Sequence, residues 1–300
     1  MEPDVGIDVL TFGNLPEASV QAVRKPVFFA GLAVVAIGLL AAIPCLAQTP
    51  SPLMDWQYST GEVLSSLQGP PPEWRAALGP GVSEQPTFMG SKRYRMQPSA
   101  ILDLRYKDEF FVSDADGIGW NVLAGPGFRA GIAVGYDMGR DSHDDPRIRD
   151  LPNIAFAPAP RLFAQYFLFP VVLTSDLKKA IGGNNGIVGD VGAYIPVPLK
   201  QDKTWLMFVG PSLSMADGRY MNSYFGVSDN SSRLSGLRDF TAKGGFTDAG
   251  IGATSIYLIG AHWLVEGDVA WRRLLGDAAR SPIIETKTQI AADINIGYRF

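Results

Sequence analysis

Thiols are nearly absent from this 300-residue chain: its one cysteine is Cys45. That residue lies in a segment expected to be removed, so the mature chain would hold no disulfide, thiolate nucleophile or Cys-ligated metal. Histidine is almost as scarce, with His143 and His262 only. His143 sits among Asp141, Ser142, Asp144 and Asp145. Neighbours in sequence do not converge into a Ser-His-Asp triad. The three carboxylates offer hard oxygen ligands for a weak divalent site, but a solvated polar loop is the favoured reading. No Ser/His/acid set is spread over strand ends, and no glycine-rich loop carries a trailing Lys-Ser/Thr. Gly182, Gly183, Asn184, Asn185 and Gly186 read as a turn. Basic excess is also missing: the net charge is −4, which excludes nucleic acid as a partner because phosphate binding needs clustered Lys and Arg. Neither an enzyme nor a bound cofactor or metal is expected.

One long hydrophobic run exists, residues 26–43, behind Arg24 and Lys25. A basic stretch, an apolar run and the small Ala47 make a secretory signal peptide. Cleavage is expected after Ala47, giving a leader 1–47 with the signal at 24–47. Ile43 and Pro44 before Cys45 do not suit lipidation. Residues 1–22 carry Glu2, Asp4, Asp8 and Glu17, the wrong sign for a signal, and point to Val23 as the initiator. Residues 48–72, with Pro70, Pro71 and Pro72, read as a flexible periplasmic extension without a core.

From residue 73 onward the periodicity is two. At the C-terminus, Ile290, Ala292, Ile294, Ile296, Tyr298 and Phe300 share one face. Gln289, Ala291, Asp293, Asn295, Gly297 and Arg299 share the other. The same alternation runs through residues 100–106, 128–136, 187–197 and 263–271. About twelve strands follow, near 73–85, 98–106, 109–114, 118–124, 128–138, 159–169, 170–180, 187–198, 203–215, 247–259, 261–274 and 288–300.

A soluble sandwich would also alternate; the connections separate the two. Links after even strands are tiny, whereas most links after odd strands are long (85–97, 139–158, 216–246, 275–287). Short turns at one end and long loops at the other belong to an all-β, closed antiparallel transmembrane barrel spanning 73–300, with periplasmic turns and extracellular loops. Closure gives every backbone group a partner inside lipid. Tyr106, Tyr136, Trp205, Trp263, Trp271, Tyr298 and Phe300 lie near strand ends, where aromatic girdles form.

On this register Asp103, Arg105, Arg129, Arg161, Asp190, Glu266, Asp268, Arg272, Asp293 and Arg299 face the lumen. They either pair and plug a narrow barrel or line a pore; twelve strands favour the plug, since open porins are larger. Tyr298 and Phe300, closing an alternating strand, resemble the terminal signature read by the barrel-assembly machinery of Gram-negative outer membranes.

Several stretches resemble the MipA/OmpV family. They are Gly90-Ser91 with Tyr94-Arg95, the run from Tyr106 to Ser113, and Gly117-Ile118-Gly119-Trp120-Asn121. Further matches are Tyr224-Phe225-Gly226-Val227, Leu237, the run from Arg273 to Ala279 with Ser281-Pro282-Ile283, and Tyr298-Arg299-Phe300. Arg280 departs from the acidic residue expected there. The resemblance implies an outer-membrane scaffold that brings a murein lytic transglycosylase together with a bifunctional penicillin-binding protein. Porin-like channels and adhesins, the latter through loops 139–158 and 216–246, are the alternatives it leaves open.

Overall fold

The computed structural model describes residues 73–300 apart from 108, 126, 169, 201 and 203. The expected signal peptide, the cleavage after Ala47 and the extension 48–72 lie outside the described residues.

Twelve strands form: β1 (Trp74–Pro86), β2 (Tyr94–Tyr106), β3 (Phe110–Ser113), β4 (Gly117–Gly125), β5 (Phe128–Asp137), β6 (Ala157–Leu168), β7 (Val171–Lys179), β8 (Ile187–Pro198), β9 (Trp205–Ala216), β10 (Gly245–Ile259), β11 (Trp263–Leu274) and β12 (Thr288–Arg299). Each pairs antiparallel with its sequence neighbours, and β12 returns to β1, closing a barrel. The final ladder runs from Ala77 opposite Arg299 to Glu84 opposite Ala292, and the Phe300 N–H donates to the Ala76 carbonyl.

Two-residue alternation explains why these segments become strands. Ile290, Ile294 and Ile296 stand about half exposed on the outer wall, while Ala291, Asp293 and Asn295 between them are buried inward. β-Branched and aromatic side chains suit this pleated surface, and lipid takes the place of a second sheet. The periplasmic turns are tight, and Gly260 sits at φ 61° in the β10–β11 link, a conformation open to glycine at no steric cost. An aromatic ring pairs up around that rim: Trp74 with Tyr106 at 4.7 Å, Trp263 with Tyr298 at 5.1 Å, and Tyr298 with Phe300 at 5.0 Å. Lys107 and Lys200 lie over Tyr106 and Tyr257, cations placed where headgroups begin.

Two details differ from the sequence expectation. β2 starts at Tyr94, not near 98, because Met96 and Pro98 continue its outward face and the β1–β2 ladder runs unbroken to Pro86 opposite Tyr94. The loop before it shrinks accordingly to 87–93. The long 217–244 connection is not irregular either: it carries helices α1 (Gly218–Phe225) and α2 (Asp229–Ser235). Asp217 caps the first by accepting from the Tyr220 N–H, and Ser228 caps the second through the Ser231 N–H.

Candidate functional site: a lumen in three layers

Along most of the wall the periplasmic end of the lumen is apolar. Leu206, Phe208, Ile256 and Leu264 are inward-facing and wholly inaccessible to water. Ile101, Val172, Tyr194 and Leu258 join them in one cluster, with the Tyr194 and Phe208 rings edge-to-face at 5.5 Å. These residues come from the periplasmic halves of their strands, so the barrel is filled there by side chains. Sequence reasoning gave the lumen face to polar groups throughout. At this end the alternation breaks down because both faces are apolar, one against lipid and one against the packed interior.

A charged zone flanks the plug, reaching the periplasmic end of the wall on β2 and β5 (Arg105, Arg129) and rising above the plug on β10 to β12. Asp103 and Arg105 are almost fully buried and bond each other at 3.1 Å, and Arg105 reaches Asp116 at 3.6 Å. Arg161 bonds Asp116 at 2.7 Å and also pairs with Asp176. Asp190 accepts from the Ser214 hydroxyl at 2.5 Å and lies 3.7 Å from Lys178. Across the barrel, Arg272 pairs with Asp248 and donates to Ser214 at 2.6 Å. Asp268 accepts from Thr254 and stands opposite Asp293 in the β11–β12 ladder, with Glu266 opposite Asn295 one step below. Arg129 is buried on β5 opposite Gln165. Arg299 stands apart from this layer, at the periplasmic rim, donating to the Ala261 carbonyl at 3.0 Å.

Several members of this network were not picked out from sequence. Asp176 and Lys178 were legible, since they alternate with Leu173 and Leu177 along β7. Asp248 was not, because a bulge between Phe246 and Asp248 shifts the register that turns it inward. Asp116 sits in the β3–β4 turn, where periodicity says nothing. Buried ions need partners to offset desolvation; opposite signs meet from β2 to β8 and at Arg272 with Asp248, whereas Glu266, Asp268 and Asp293 bring three carboxylates together on β11 and β12. A cavity of about 80 Å³ remains among Arg105, Arg129, Arg161 and Lys178, room for a few waters or one small polar group.

The third layer is a folded cap on the extracellular end. Asp145, fully buried, accepts from the Thr87 hydroxyl at 2.6 Å, the Ser91 hydroxyl at 3.1 Å and Arg93 at 2.8 Å. It thereby ties loop 87–93 to loop 138–156. Met221, Tyr224 and Phe225 of α1 pack on Leu274 and Ala278, while Val227, Phe88, Ile148, Leu151 and Ile283 form a second cluster. Ser281 donates to the Phe225 carbonyl at 2.6 Å, and Arg147 donates to the Pro282 carbonyl at 2.6 Å. Arg140 donates to the Tyr224 carbonyl, and burial pushes its guanidinium down to about 10, still charged at neutral pH. A β-carbon at Gly90 would come within 2.2 Å of Ile284, and its φ is +98°, so this contact admits glycine alone. The spacing of Tyr220, Met221, Tyr224 and Phe225 is helical and was the missed sign that the longest loop folds.

The Asp141–Asp145 cluster separates in space. Asp141 accepts from the His143 N–H and ring, Asp144 pairs with Arg95 at 2.8 Å, and Asp145 serves the cap. Among the described residues no group of three or more His, Cys, Asp or Glu is placed to hold a metal ion.

Many of the residues that carry the family resemblance converge in this cap: Gly90 and Ser91, the Tyr224–Val227 run, Leu237, Ala278, and Ser281 to Ile283. The sequence matches the family described as MltA-interacting protein MipA over residues 78–300. Outer membrane protein OmpV of Vibrio cholerae is 25% identical over 76% of this chain and 87% of its own length. Outer membrane protein Omp26La of Vibrio anguillarum is 26% identical over 67% of this chain and 78% of its own. Among solved structures, the CymD monoaromatic hydrocarbon channel gives a TM-score of 0.36 at 10% identity, over 84% of this chain and 93% of that one. That likeness extends to barrel architecture alone. With the match spanning the whole barrel from β1 to Phe300, this chain belongs to the MipA family and is an outer-membrane protein.

Proposed function

We propose that this protein is a non-enzymatic scaffold of the outer membrane, a filled barrel that acts through the surfaces it presents to cell-envelope partners. The observation that carries the reading is the lumen, packed with apolar side chains at its periplasmic end and roofed by a folded cap. Filling of this kind narrows the lumen against solute, so the barrel's work is assigned to its outer and periplasmic faces. The family description names an interaction with MltA, which supports a murein lytic transglycosylase as one partner; a penicillin-binding protein is the second. Residues 48–72 serve as the tether that reaches such partners. They follow a leader, 1–47, that ends at Ala47.

The test is cross-linking of the intact protein in outer-membrane vesicles to a purified lytic transglycosylase, with and without residues 48–72. Capture that falls at least roughly tenfold on deletion supports the tether. Absence of capture from the full-length protein defeats the scaffold reading. N-terminal sequencing of the mature protein is expected to begin at Gln48; a start upstream of Arg24 would show that the leader is kept.

Assembly gives a further expectation. Phe300 is exposed at the end of β12 and packs on Tyr298, where the assembly machinery would engage it. Deleting Phe300 is expected to lower the heat-modifiable barrel in outer membranes severalfold while leaving synthesis unchanged, as read on gels of boiled and unboiled fractions. An undiminished shifted band would remove Phe300 from the assembly signal.

A further inference from the structure

On the lipid-facing wall the ladders set outward residues in rows. Leu162, Leu177, Gly189 and Met215 form one row across β6 to β9. Ala164, Ser175, Val191 and Leu213 form the next row toward the periplasm. Leu162, Leu177, Val191 and Met215 are each roughly half exposed, but Gly189, Ala164 and Ser175 among them carry little or no side chain. A groove of about 350 Å³ results. A β-carbon at Gly189 would meet nothing nearer than the Leu177 and Met215 side chains at 3.6 Å, so the floor there is open. Phe163, Asp176 and Asp190 also border the groove, but their side chains serve the lumen. Arg161 lies over Phe163 and pairs with Asp176, and Lys178 lies 3.7 Å from Asp190.

Strand length sets the level of the groove in the membrane. β7 has nine residues, Val171–Lys179, which span about 30 Å along the strand. A tilt of about 40° brings that to about 23 Å, close to the apolar band of about 25 Å. Since β7 starts from a periplasmic turn, it ends at the extracellular edge of that band. Lys179 stands there, one outward position above Leu177 and opposite Ile187 on β8. Its ammonium group donates to the Asn185 carbonyl, a neutral acceptor. The chain brings Arg219 to the same side: the Asp217 N–H donates to the Ile187 carbonyl, and Arg219 follows, exposed, in the first turn of α1. Among the described residues neither cation has a carboxylate at ion-pair distance. Asp217 itself is engaged in capping α1. Elsewhere on the rim the arrangement differs: below Arg273 the wall carries Trp271 beside Ile290 instead of a groove.

A methylene is close to a water in size, about 30 Å³, so the groove holds about a dozen of them, one acyl chain. Ten residues border it, against roughly 20–30 a side in a standard protein interface, which favours a lipid over a second barrel. Lipid tails are as apolar as the wall, so the groove itself gains only close packing. Selection falls on the head, where two cations free of ion pairs attract negative charge at the surface of the extracellular leaflet. We propose that this groove holds one acyl chain of a phosphorylated glycolipid of the outer leaflet, lipopolysaccharide, with a lipid A phosphate on Lys179 and Arg219.

The test uses full-length protein purified into phosphatidylcholine nanodiscs, incubated with isotope-labelled lipid A and released into detergent for native mass spectrometry. One labelled lipid A per barrel is expected to be retained. Dephosphorylated lipid A is expected to be retained at least roughly tenfold less, since it lacks the charge-assisted bonds. Gly189→Phe, which fills the floor, is expected to abolish retention in barrels that still show the heat shift. Gly267→Phe, on the outward face of β11 away from the groove, is expected to leave it unchanged. Lys179→Gln and Arg219→Gln are each expected to lower it about fivefold, and Lys179→Arg to keep most of it. These rim variants decide the matter if Gly189→Phe loses the heat shift. The proposal is overturned by the absence of a one-to-one adduct, by equal retention of the dephosphorylated lipid, or by unchanged retention in folded Gly189→Phe or in the two glutamine variants. A dimer mass that Gly189→Phe abolishes in place of the lipid adduct would also overturn it and give the groove to a second copy of this chain.

Discussion

Replacing Leu206, Phe208 and Leu264 by alanine and excising residues 218–243 are expected to turn a silent barrel into a conducting one, and neither change is expected to do so alone. The reason is that the lumen carries two seals in series. The apolar plug holds these three side chains at zero exposure, and truncating them removes most of its bulk. Each truncation costs about 2–5 kcal/mol by cavity formation, which a closed barrel in lipid tolerates better than a small soluble core. The cap is the second seal. Its largest loop can be removed without disturbing the wall, because Ala216 and Gly245 are already paired across the β9–β10 ladder and a two-residue hairpin turn will join them. Planar-bilayer recordings should show no discrete steps for the parent, for the plug variant or for the cap deletion, and regular steps for the combination. Steps from the parent would mean that the packing opens at rest, and the scaffold reading would lose its main support. Silence from a combined variant that is still heat-modifiable would place the barrier in the charged layer between the seals.

The wall of this barrel was legible in the sequence and much of its interior was not. Period-two alternation located each of the twelve strands because lipid enforces one apolar face along every strand, as in Ile290, Ile294 and Ile296. The same logic turned Asp103, Arg105 and Arg272 inward, since a charge on the lipid face is costly at membrane depth. It was silent where both faces are apolar, so Leu206 and Phe208 passed as ordinary strand residues. It also failed where a bulge resets the count, as at Asp248, and in turns such as Asp114–Asp116, which have no period at all. Charge partnerships are a further level: Arg161 with Asp116 joins residues from β6 and the β3–β4 turn, which only the closed topology brings together. The cap was missed for a different reason. Its residues were recognised as loop by length and polarity, whereas its stability comes from a few buried contacts between loops far apart in sequence.

The contact among them that matters most is Asp145, and Asp145→Ala is expected to unlock the cap while leaving the barrel intact. Its carboxylate is completely buried and accepts from Thr87, Ser91 and Arg93, besides the Arg147 N–H that begins the next turn. Arg93 is half exposed, so water screens that bond and it contributes little. The two buried hydroxyls and the backbone N–H are another matter: each loses a charge-assisted bond to a fully buried carboxylate. The loss is expected at about 3 kcal/mol, which corresponds to a roughly 100-fold rise in the open population of loops 87–93 and 138–156. Because opening precedes cleavage, protease added to intact cells should cut the variant within those loops at a correspondingly higher rate, while the heat shift of the barrel is unchanged. Asp145→Asn, which keeps one acceptor oxygen but loses the charge, should fall between the two. Equal cleavage rates in parent and Asp145→Ala would show that the apolar clusters around Phe225 and Ile283 hold the cap without the buried carboxylate. A loss of the heat shift itself would show that the cap is part of the barrel's own stability and not a lid laid over it.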